Sequence, residues 1–206
     1  RKNGTFISCI TRSEEGKPFR PSWTEIWVYD PAEQAQTVLF SYQSVGNRPQ
    51  AMHYSNHSAR IFLVLKTETP EFRFLALDAD SGNPVFDKPL TFNTGDLNVK
   101  ALIESPSGEI VAVGYVENYA RPDYPYFGVF DAGGNLIKET VFEEHQGGRL
   151  LEALFNVDGE LFIGGDSYRP GATHSIVYKF DEDFERISEA DLGPMEFASL
   201  QRECDG

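Results

Sequence analysis

The hydrophobic positions of the chain fall in short segments that repeat with a period of about 50 residues. One landmark of the repeat is an apolar strand that ends in aspartate, at Asp30, Asp78, Asp131 and Asp181. A second landmark is a small residue followed by a large apolar one, beginning at Ala51, Ala101, Ala153 and Ser199. Successive spacings are 48, 53 and 50 residues for the first landmark and 50, 52 and 46 for the second. Because two independent landmarks share one period, the chain is predicted to contain four copies of one structural unit.

Each repeat contains four short segments that alternate with turns. In the third repeat, the turn 106–109 leads into the apolar segment 110–113, and Asp131-Ala132-Gly133-Gly134-Asn135 separates the last two segments. Glycine and asparagine accept the positive φ of tight turns, and no segment shows the 3.6-residue periodicity of a helix. Four short antiparallel strands per repeat are typical of a propeller blade. We therefore predict an all-β fold, a β-propeller of four blades with four antiparallel strands each.

The two ends of the chain are predicted to complete one blade together. The segment 199–204 carries the landmark of a first strand, whereas the N-terminus supplies only the other three strands of a blade. This C-terminal strand would close the first blade by pairing with residues 5–10, which removes an exposed sheet edge. A half-ring completed by a second chain stays open, because four blades is the low end of the propeller range. The predicted single domain 1–206 comprises blades at 199–206 plus 1–48, 49–98, 99–150 and 151–198.

The strand positions also predict which side chains are buried. Large apolar residues of the strands are expected to stack between blades, at Phe6, Ile10, Phe62, Val64, Val111, Val113, Phe162, Val129 and Phe180. Lys138 is predicted to lie on the surface. The two cysteines, Cys9 and Cys204, would be separated by about four residues along the closing hairpin, or roughly 13 Å at ~3.3 Å per residue. That distance is beyond the reach of a disulfide, so two free thiols are expected.

Two longer motifs recur between residues 101 and 190. Gly108–Tyr115 and Gly159–Gly164 have the form glycine, polar residue, apolar strand and glycine, and each precedes a strand that runs into an aspartate turn, at 126–136 and 176–183. These repeats resemble the blades of bacterial secreted and surface β-propeller proteins, and the first two blades resemble them loosely. The resemblance implies a propeller fold and an extracellular or periplasmic protein. It transfers no catalytic residue.

The net charge restricts the class of partner. The 206 residues include 18 Lys and Arg against 32 Asp and Glu, which gives a formal net charge of −14. Nucleic acids and anionic membranes bind basic surfaces, so neither is an expected partner. The longest strictly apolar run, 61–65, is far shorter than the roughly 20 residues that a membrane helix needs. Arg1 is not a natural initiator, and the gene product is expected to have been trimmed.

Common catalytic and cofactor motifs do not occur in the sequence. It contains no Gly-x-Ser-x-Gly elbow, no His-Glu-x-x-His, no phosphate loop and no dinucleotide fingerprint. His53 and His57 flank a turn, where histidines are more often solvated than bound to metal. The segment 78–83 matches a calcium loop only in part, because it lacks the downstream glutamate, and an Asx turn is the preferred interpretation. No catalytic residue, metal or cofactor is predicted.

A weaker repeat lies in the loop between the second and third strands. Three blades place an aromatic residue, an arginine and a proline there, and further aromatic residues follow. In a propeller these loops emerge on one face, around the mouth of the channel. Arginine supplies a planar fork of donors and aromatic rings supply stacking faces. The candidate ligand-binding residues are Arg20, Trp23, Tyr119, Arg121, Tyr124, Tyr168 and Arg169.

These loops have a functional and a structural interpretation. In the first, the chain is a non-enzymatic binding module whose loop face takes a protein, peptide or glycan, with the arginines suited to a carboxylate. In the second, each arginine pairs with an acid of its own blade and proline stiffens the loop. Two further classes stay open: a carbohydrate-active enzyme with loop carboxylates at the channel mouth, and a structural component of a larger extracellular assembly. An incomplete ring would favour self-association.

Overall fold

A computed structural model describes the chain in seven stretches, 6–13, 21–43, 48–67, 72–90, 96–117, 122–142 and 147–201. These residues form four antiparallel sheets. The first sheet contains β1 (Phe6–Ser13), β2 (Pro21–Asp30) and β3 (Ala35–Gln43). The second sheet contains β4 (Arg48–Ser55), β5 (Arg60–Lys66), β6 (Phe72–Asp78) and β7 (Pro84–Leu90). The third and fourth contain β8 (Asp96–Glu104), β9 (Ile110–Glu117), β10 (Tyr124–Phe130) and β11 (Leu136–Val141), then β12 (Gly148–Phe155), β13 (Leu161–Arg169), β14 (Ala172–Phe180) and β15 (Arg186–Asp191).

The predicted all-β propeller fold of four antiparallel blades is confirmed. Within every sheet, strands that are adjacent in sequence are also hydrogen-bonded neighbours. The described stretches contain no helix. Accordingly, none of them includes a helical segment of the length and apolarity that a membrane span requires. The second, third and fourth sheets begin at residues 48, 96 and 148, against predicted blade boundaries at 49, 99 and 151.

Residue contacts divide the chain into two compact units. Unit 1 is Arg1–Thr91 and holds the first and second sheets, and unit 2 is Phe92–Gly206 and holds the third and fourth. In unit 1, Ile26 of the first sheet packs with Ile61 and Leu63 of the second. In unit 2, Val113 and Phe127 of the third sheet pack with residues of the fourth. Each unit therefore has its own apolar core between two sheets, and the single-domain organisation stays a prediction.

The aspartates that mark the repeat cap the turn between the last two strands of each blade. Oδ1 of Asp30 accepts a hydrogen bond from the Ala32 amide at 2.8 Å. Oδ1 of Asp78 accepts one from the Ser81 amide at 2.7 Å, and Asp131 and Asp181 accept equivalent bonds. These are Asx turns, in which the carboxylate replaces a backbone acceptor. The interpretation of 78–83 as an Asx turn is therefore confirmed.

Most of the predicted core positions are buried. Six of the nine predicted side chains are at most 2 % exposed: Phe62, Val64, Val111, Val113, Val129 and Phe180. The prediction is wrong for Phe6 and Ile10, which are 65 % and 41 % exposed. Alternate residues of a strand point to opposite faces, and Ile7 and Cys9 are the β1 residues that pack into the core of unit 1. Phe6 and Ile10 therefore lie on the other face of the first sheet. Phe162 is half-buried.

Lys138 was predicted to lie on the surface; its side chain is partly exposed, at 25 %, and it also makes specific contacts. Its ammonium group donates to the carbonyl oxygen of Phe184 at 2.7 Å and pairs with Glu185 at 2.6 Å. Phe184 holds a left-handed φ of 59°, which is unfavourable for a residue with a bulky side chain. Lys138 therefore connects the third sheet to the strained turn before β15.

The C-terminal segment lies against the fourth sheet. The Phe197 amide donates to Asp166 at 2.8 Å, and the Leu200 amide donates to Glu152 at 2.6 Å. Residues 199–201 form no strand, and the first sheet contains three strands within the described stretches. Residues 202–204 and residue 5 lie outside them, so closure of the first blade by 199–204 stays a prediction. Cys9 has a free thiol, as predicted, while Cys204 lies outside the described residues.

Candidate functional site

The seven predicted ligand-binding residues do not all fall in the described part of the chain. Arg20, Tyr119 and Arg121 lie outside it. Trp23 belongs to unit 1, on β2, and the remaining three belong to unit 2. Tyr124 opens β10, and Tyr168 and Arg169 end β13. The predicted ring of three arginines therefore stays a prediction, and the described residues show separate local environments.

Trp23 is one of two tryptophans held by a single carboxylate. The indole N–H groups of Trp23 and Trp27 donate to Glu25 at 2.9 and 2.8 Å. Nε of Arg12 lies 2.7 Å from the same carboxylate, and its guanidinium lies over the Trp27 ring. Burial raises the pKa of Glu25, but the two indole hydrogen bonds and Arg12 outweigh this effect, and the net pKa is lowered. Trp23 is thus part of a cluster that stabilises the first sheet.

We expect acid to disrupt this cluster by protonating Glu25. A carboxyl group whose folded-state pKa is lowered contributes stability above its unfolded pKa, and that contribution is lost as the pH falls. Trp23 and Trp27 are the two tryptophans of the chain, so fluorescence reports on Glu25 directly. Emission should stay constant down to the ordinary glutamate pKa of about 4.3 and change below it.

The matched variant Glu25→Gln separates this effect from general acid unfolding. Its amide carries no charge to lose, so its emission should be altered at neutral pH and should not follow the acid transition of the wild type. Circular dichroism on the same samples monitors the strands. An identical pH dependence in both proteins would show that Glu25 does not control the indoles.

Arg169 pairs with acids of its own blade. Its guanidinium lies 3.0 Å from Asp191 and 3.6 Å from Glu189, both on β15. Nδ1 of His174 contacts the same Asp191 carboxylate at 2.9 Å. The amide of Gly193 is the largest cause of a lowered Asp191 pKa, followed by His174, while burial opposes them. The contacts of Arg169 therefore match the structural interpretation, in which each arginine pairs with an acid of its own blade.

Tyr168, in contrast, belongs to a compact group of polar and aromatic side chains in unit 2. Nε and Nη2 of Arg149 each lie 2.8 Å from Oδ2 of Asp123. The guanidinium carbon lies over the Tyr115 ring at 4.8 Å and over the Tyr168 ring at 5.8 Å from the centroids. We call these four residues, Tyr115, Asp123, Arg149 and Tyr168, the Arg149 cluster. It combines a guanidinium, a carboxylate and two ring faces.

Four separate segments place these side chains at the loop end of the two sheets. Tyr115 lies near the end of β9, Asp123 directly precedes β10, Arg149 is the second residue of β12, and Tyr168 lies near the end of β13. Two backbone hydrogen bonds join the segments. The Gly148 amide donates to the Asp123 carbonyl at 2.6 Å, and the Tyr168 amide donates to the Gly147 carbonyl at 2.9 Å.

Glycine is required where these segments cross. Gly147 has a φ of 122°, and a Cβ atom there would collide with Pro122 and lie 3.0 Å from the Tyr168 ring. A Cβ atom at Gly165 would collide with the carbonyl oxygen of Arg149, and one at Gly114 with that of Asn98. In both sheets the inner strand has a bulge at this point. Gly165 thus leaves space for the bulged strand that carries Arg149, and Gly114 does the same for the bulge of β8.

The Arg149 cluster combines a largely buried carboxylate with a partly exposed arginine. The Asp123 side chain is 12 % exposed, whereas that of Arg149 is 43 % exposed. Burial acts against the arginine charge, but the Asp123 hydrogen bond and the electrostatic attraction of Tyr168 and Asp123 outweigh it and raise the pKa of Arg149. The guanidinium is therefore charged and fixed in orientation, and part of it faces solvent.

A second cation borders the same site. Nζ of Lys100 lies over the Tyr115 ring at 5.2 Å from its centroid. Lys100 is exposed and occupies the bulge of β8, between Val99 and Ala101. The Tyr115 ring therefore contacts two positive groups, although the chain carries a net charge of −14.

Two other carboxylates at this end of the strands accept structural hydrogen bonds. Glu117 accepts from Asn98 at 3.2 Å, and Asp166 accepts from the Phe197 amide. The carboxyl pKa values of Glu25, Glu109, Glu160 and Asp191 are clearly displaced, and each of them is lowered. A general acid needs a raised pKa. Among the described residues no group of three His, Cys, Asp or Glu side chains is arranged to hold a metal ion.

A cavity of about 300 Å³ lies at the opposite end of the strands in unit 2. It is lined by the turns that follow β8, β12 and β14, including Ser105, Asp158, Glu182 and Phe184. The lining contains no arginine or lysine. This cavity provides a reference surface for locating ligand binding at one end of the sheets or the other.

Sequence analysis identified Tyr168 as a candidate but missed Arg149, Tyr115 and Lys100. A signal for Arg149 was present, because Gly46-Asn47-Arg48 and Gly147-Gly148-Arg149 occur 101 residues, or two periods, apart. In the structure, Arg48 opens β4 and Arg149 is the second residue of β12, which are the inner strands of their sheets. Tyr115 and Lys100 have no comparable repeat.

Comparison with known proteins supports the fold. No protein-family model and no curated protein matches the chain. Among solved structures it is similar to the periplasmic gluconolactonase PpgL of Pseudomonas aeruginosa, with 14 % identity and a TM-score of 0.59 over 94 % of this chain and 56 % of that one. It is also similar to the β-propeller domain of the trilobed protease of Pyrococcus furiosus, which has an open velcro topology, with 14 % identity and a TM-score of 0.52 over 87 % and 53 %.

A third similar structure is an exo-β-1,3-galactanase of Phanerochaete chrysosporium in complex with β-1,3-galactotriose. The identity is 13 % and the TM-score 0.57, over 90 % of this chain and 45 % of that one. The chain thus spans about half the length of these structures. At such identities the similarity shows the propeller fold, and the fold hosts both enzymes and other functions.

Proposed function

We propose that the chain is a non-enzymatic binding module that takes a protein, peptide or glycan ligand at the loop end of unit 2, through the Arg149 cluster. One observation carries the proposal: the Arg149 guanidinium lies over two tyrosine rings and is held at one edge by Asp123, while 43 % of its side chain is exposed. Tyrosine and arginine dominate binding sites because they offer large, rigid contact areas and several donors.

The carbohydrate-active enzyme is the second candidate, supported by the galactanase that shares the fold. It requires two loop carboxylates placed on either side of a glycosidic bond, one of them a proton donor with a raised pKa. Asp123 is bound to Arg149, and Glu117 and Asp166 accept structural hydrogen bonds. These contacts favour the binding module. A structural role in a larger extracellular assembly is the third candidate, and the resemblance to secreted propellers supports an extracellular or periplasmic location.

The test is a binding screen of the wild-type chain on glycan and peptide arrays, followed by affinity measurement for the strongest ligand. Replacing Tyr168 by Ala removes one ring of the cluster and should weaken binding by about tenfold or more, the range of a stacking hot spot. Asp158→Asn in the cavity at the opposite end serves as the control and should leave the affinity unchanged.

Two results would contradict this function. The first is a ligand that binds equally well to wild type and Tyr168→Ala but loses affinity in Asp158→Asn. The second is hydrolysis of an array glycan by the wild type, with loss of activity on replacing a loop carboxylate, which would establish the enzyme instead.

A further inference from the structure

Within the described part of the chain, one edge of the Arg149 guanidinium contacts Asp123 and the other edge has no hydrogen-bond partner. Nε and Nη2 both contact the same oxygen of Asp123, so the side of the group that includes Nε is occupied. The Nη1 group and the outer N–H of Nη2 form the other edge. Guanidinium edges match the two oxygens of a carboxylate in one plane. Because Asp123 is largely buried and Arg149 is 43 % exposed, the occupied edge points into the protein and the other edge is the one available to a ligand.

The surroundings favour a flat anion at this edge. The ring faces of Tyr115 and Tyr168 border the guanidinium, and Lys100 adds a second cation against Tyr115. The cluster and Lys100 together carry two positive charges and one negative charge. The paired donors of a guanidinium edge match the two coplanar oxygens of a carboxylate.

From this geometry we propose that the Arg149 cluster recognises a carboxylate group, carried by a uronic acid sugar or by the C-terminus of a peptide, with Lys100 as an accessory cation. The proposal rests on the proposed function, because it specifies the ligand chemistry of the same binding site. Arg149 supplies the paired donors, Asp123 positions them, and the two tyrosines contact the sugar ring or the last side chain.

The experiment measures the affinity of the wild-type chain for four probes by calorimetry at low salt. Two are oligosaccharides of equal length and linkage, trigalacturonate and its fully methyl-esterified, neutral form. The other two are a short peptide with a free C-terminus and the same peptide amidated. We expect binding of the trigalacturonate, of the free peptide, or of both, at least tenfold tighter than of the neutral counterpart. Whichever acidic probe binds identifies the source of the carboxylate.

Three variants connect the affinity to the named groups. Arg149→Lys keeps the charge but loses the fork and should weaken binding of the acidic probe by about 30-fold, the effect of losing one member of a hydrogen-bonded charge pair. Lys100→Gln removes an exposed charge and should weaken it by about threefold to tenfold. Arg73→Gln removes a guanidinium of unit 1 that already pairs with Asp87 on β7, and it should leave the affinity unchanged. Circular dichroism and thermal unfolding confirm that each variant is folded.

The outcomes distinguish this inference from the function on which it rests. If neutral and acidic probes bind equally and Tyr168→Ala weakens both, the binding site stands and carboxylate recognition is wrong. If Arg149→Lys binds the acidic probe as tightly as wild type, the fork has no role and the inference is overturned. If no acidic probe binds while the array screen finds another ligand for the cluster, the inference is likewise overturned. If the array screen also finds no ligand, the proposed function fails with it.

Discussion

Replacing Phe180 by alanine is expected to lower the free energy of unfolding by about 3–5 kcal/mol, the usual cost of truncating a buried phenylalanine. Phe180 is 2 % exposed, and its ring stacks on Phe127 with centroids 4.9 Å apart. Phe127 belongs to β10 and Phe180 to β14, so this contact joins the third and fourth sheets. Chemical denaturation monitored by circular dichroism measures the loss.

Phe6→Ala is the control, because it removes the same kind of side chain from a strand of unit 1, on the exposed face of the first sheet. Phe6 pairs with Tyr29 on β2, but its side chain is 65 % exposed. We expect its replacement to change the free energy of unfolding by about 0.5 kcal/mol or less. Equal losses in the two variants would mean that the cores of the two units are assigned to the wrong faces of their sheets.

Gly165→Ala is expected to affect both stability and the binding site. The new Cβ atom would collide with the Arg149 carbonyl oxygen, and the backbone of β12 would have to move away. Overpacking of this kind costs about 1–3 kcal/mol. The movement should also displace the Arg149 guanidinium from Asp123 and weaken ligand binding. Thermal unfolding and affinity for the strongest array ligand measure the two effects.

Gly133→Ala provides the control for a glycine of the same repeat. A Cβ atom at Gly133 would lie 3.2 Å from a carboxylate oxygen of Asp131, on a turn far from any other strand. That side chain can adjust, so we expect a small change in stability and none in affinity. A Gly165→Ala protein with wild-type stability and wild-type affinity would show that the bulge of β12 does not position Arg149.

The repeat predicted the fold because its landmarks have local physical causes. Each marking aspartate caps a turn through its own carboxylate, as Asp78 does for Ser81, and such short-range hydrogen bonds leave a signature in sequence. Gly114 and Gly165 are also explained locally, by the bulge of the neighbouring strand. Strand order followed in turn, because adjacent segments of a blade pair with each other.

The side of the first sheet that is buried could not be predicted in the same way. In the second sheet, Phe62 and Leu63 are adjacent and both are buried, so apolar residues on alternate positions do not identify the inner face. On β1 the large residues Phe6 and Ile10 are exposed, while Ile7 and Cys9 pack into the core. Side-chain size suggested the opposite, because the packing depends on the neighbouring sheet rather than on the strand itself.

The Arg149 cluster was also beyond a reading of single loops. Its four residues come from β9, the segment before β10, β12 and β13, and they meet through backbone hydrogen bonds across Gly147 and Gly148. The loop repeat singled out both Tyr168 and Arg169, but Arg169 contacts Asp191 and Glu189 and takes no part in the cluster. Loop composition could not reveal which arginine lies over the tyrosine rings, since that depends on how the third and fourth sheets pack together.

The footprint of a bound ligand tests the central claim most directly. Amide chemical shifts of the isotope-labelled chain are measured while the strongest array ligand is titrated. We predict that the largest shifts occur at Lys100, Tyr115, at 147–149 and at Tyr168, where backbone and side chains surround Arg149. Shifts confined to the turns around Ser105, Asp158 and Phe184, which line the cavity at the opposite end, would contradict the account.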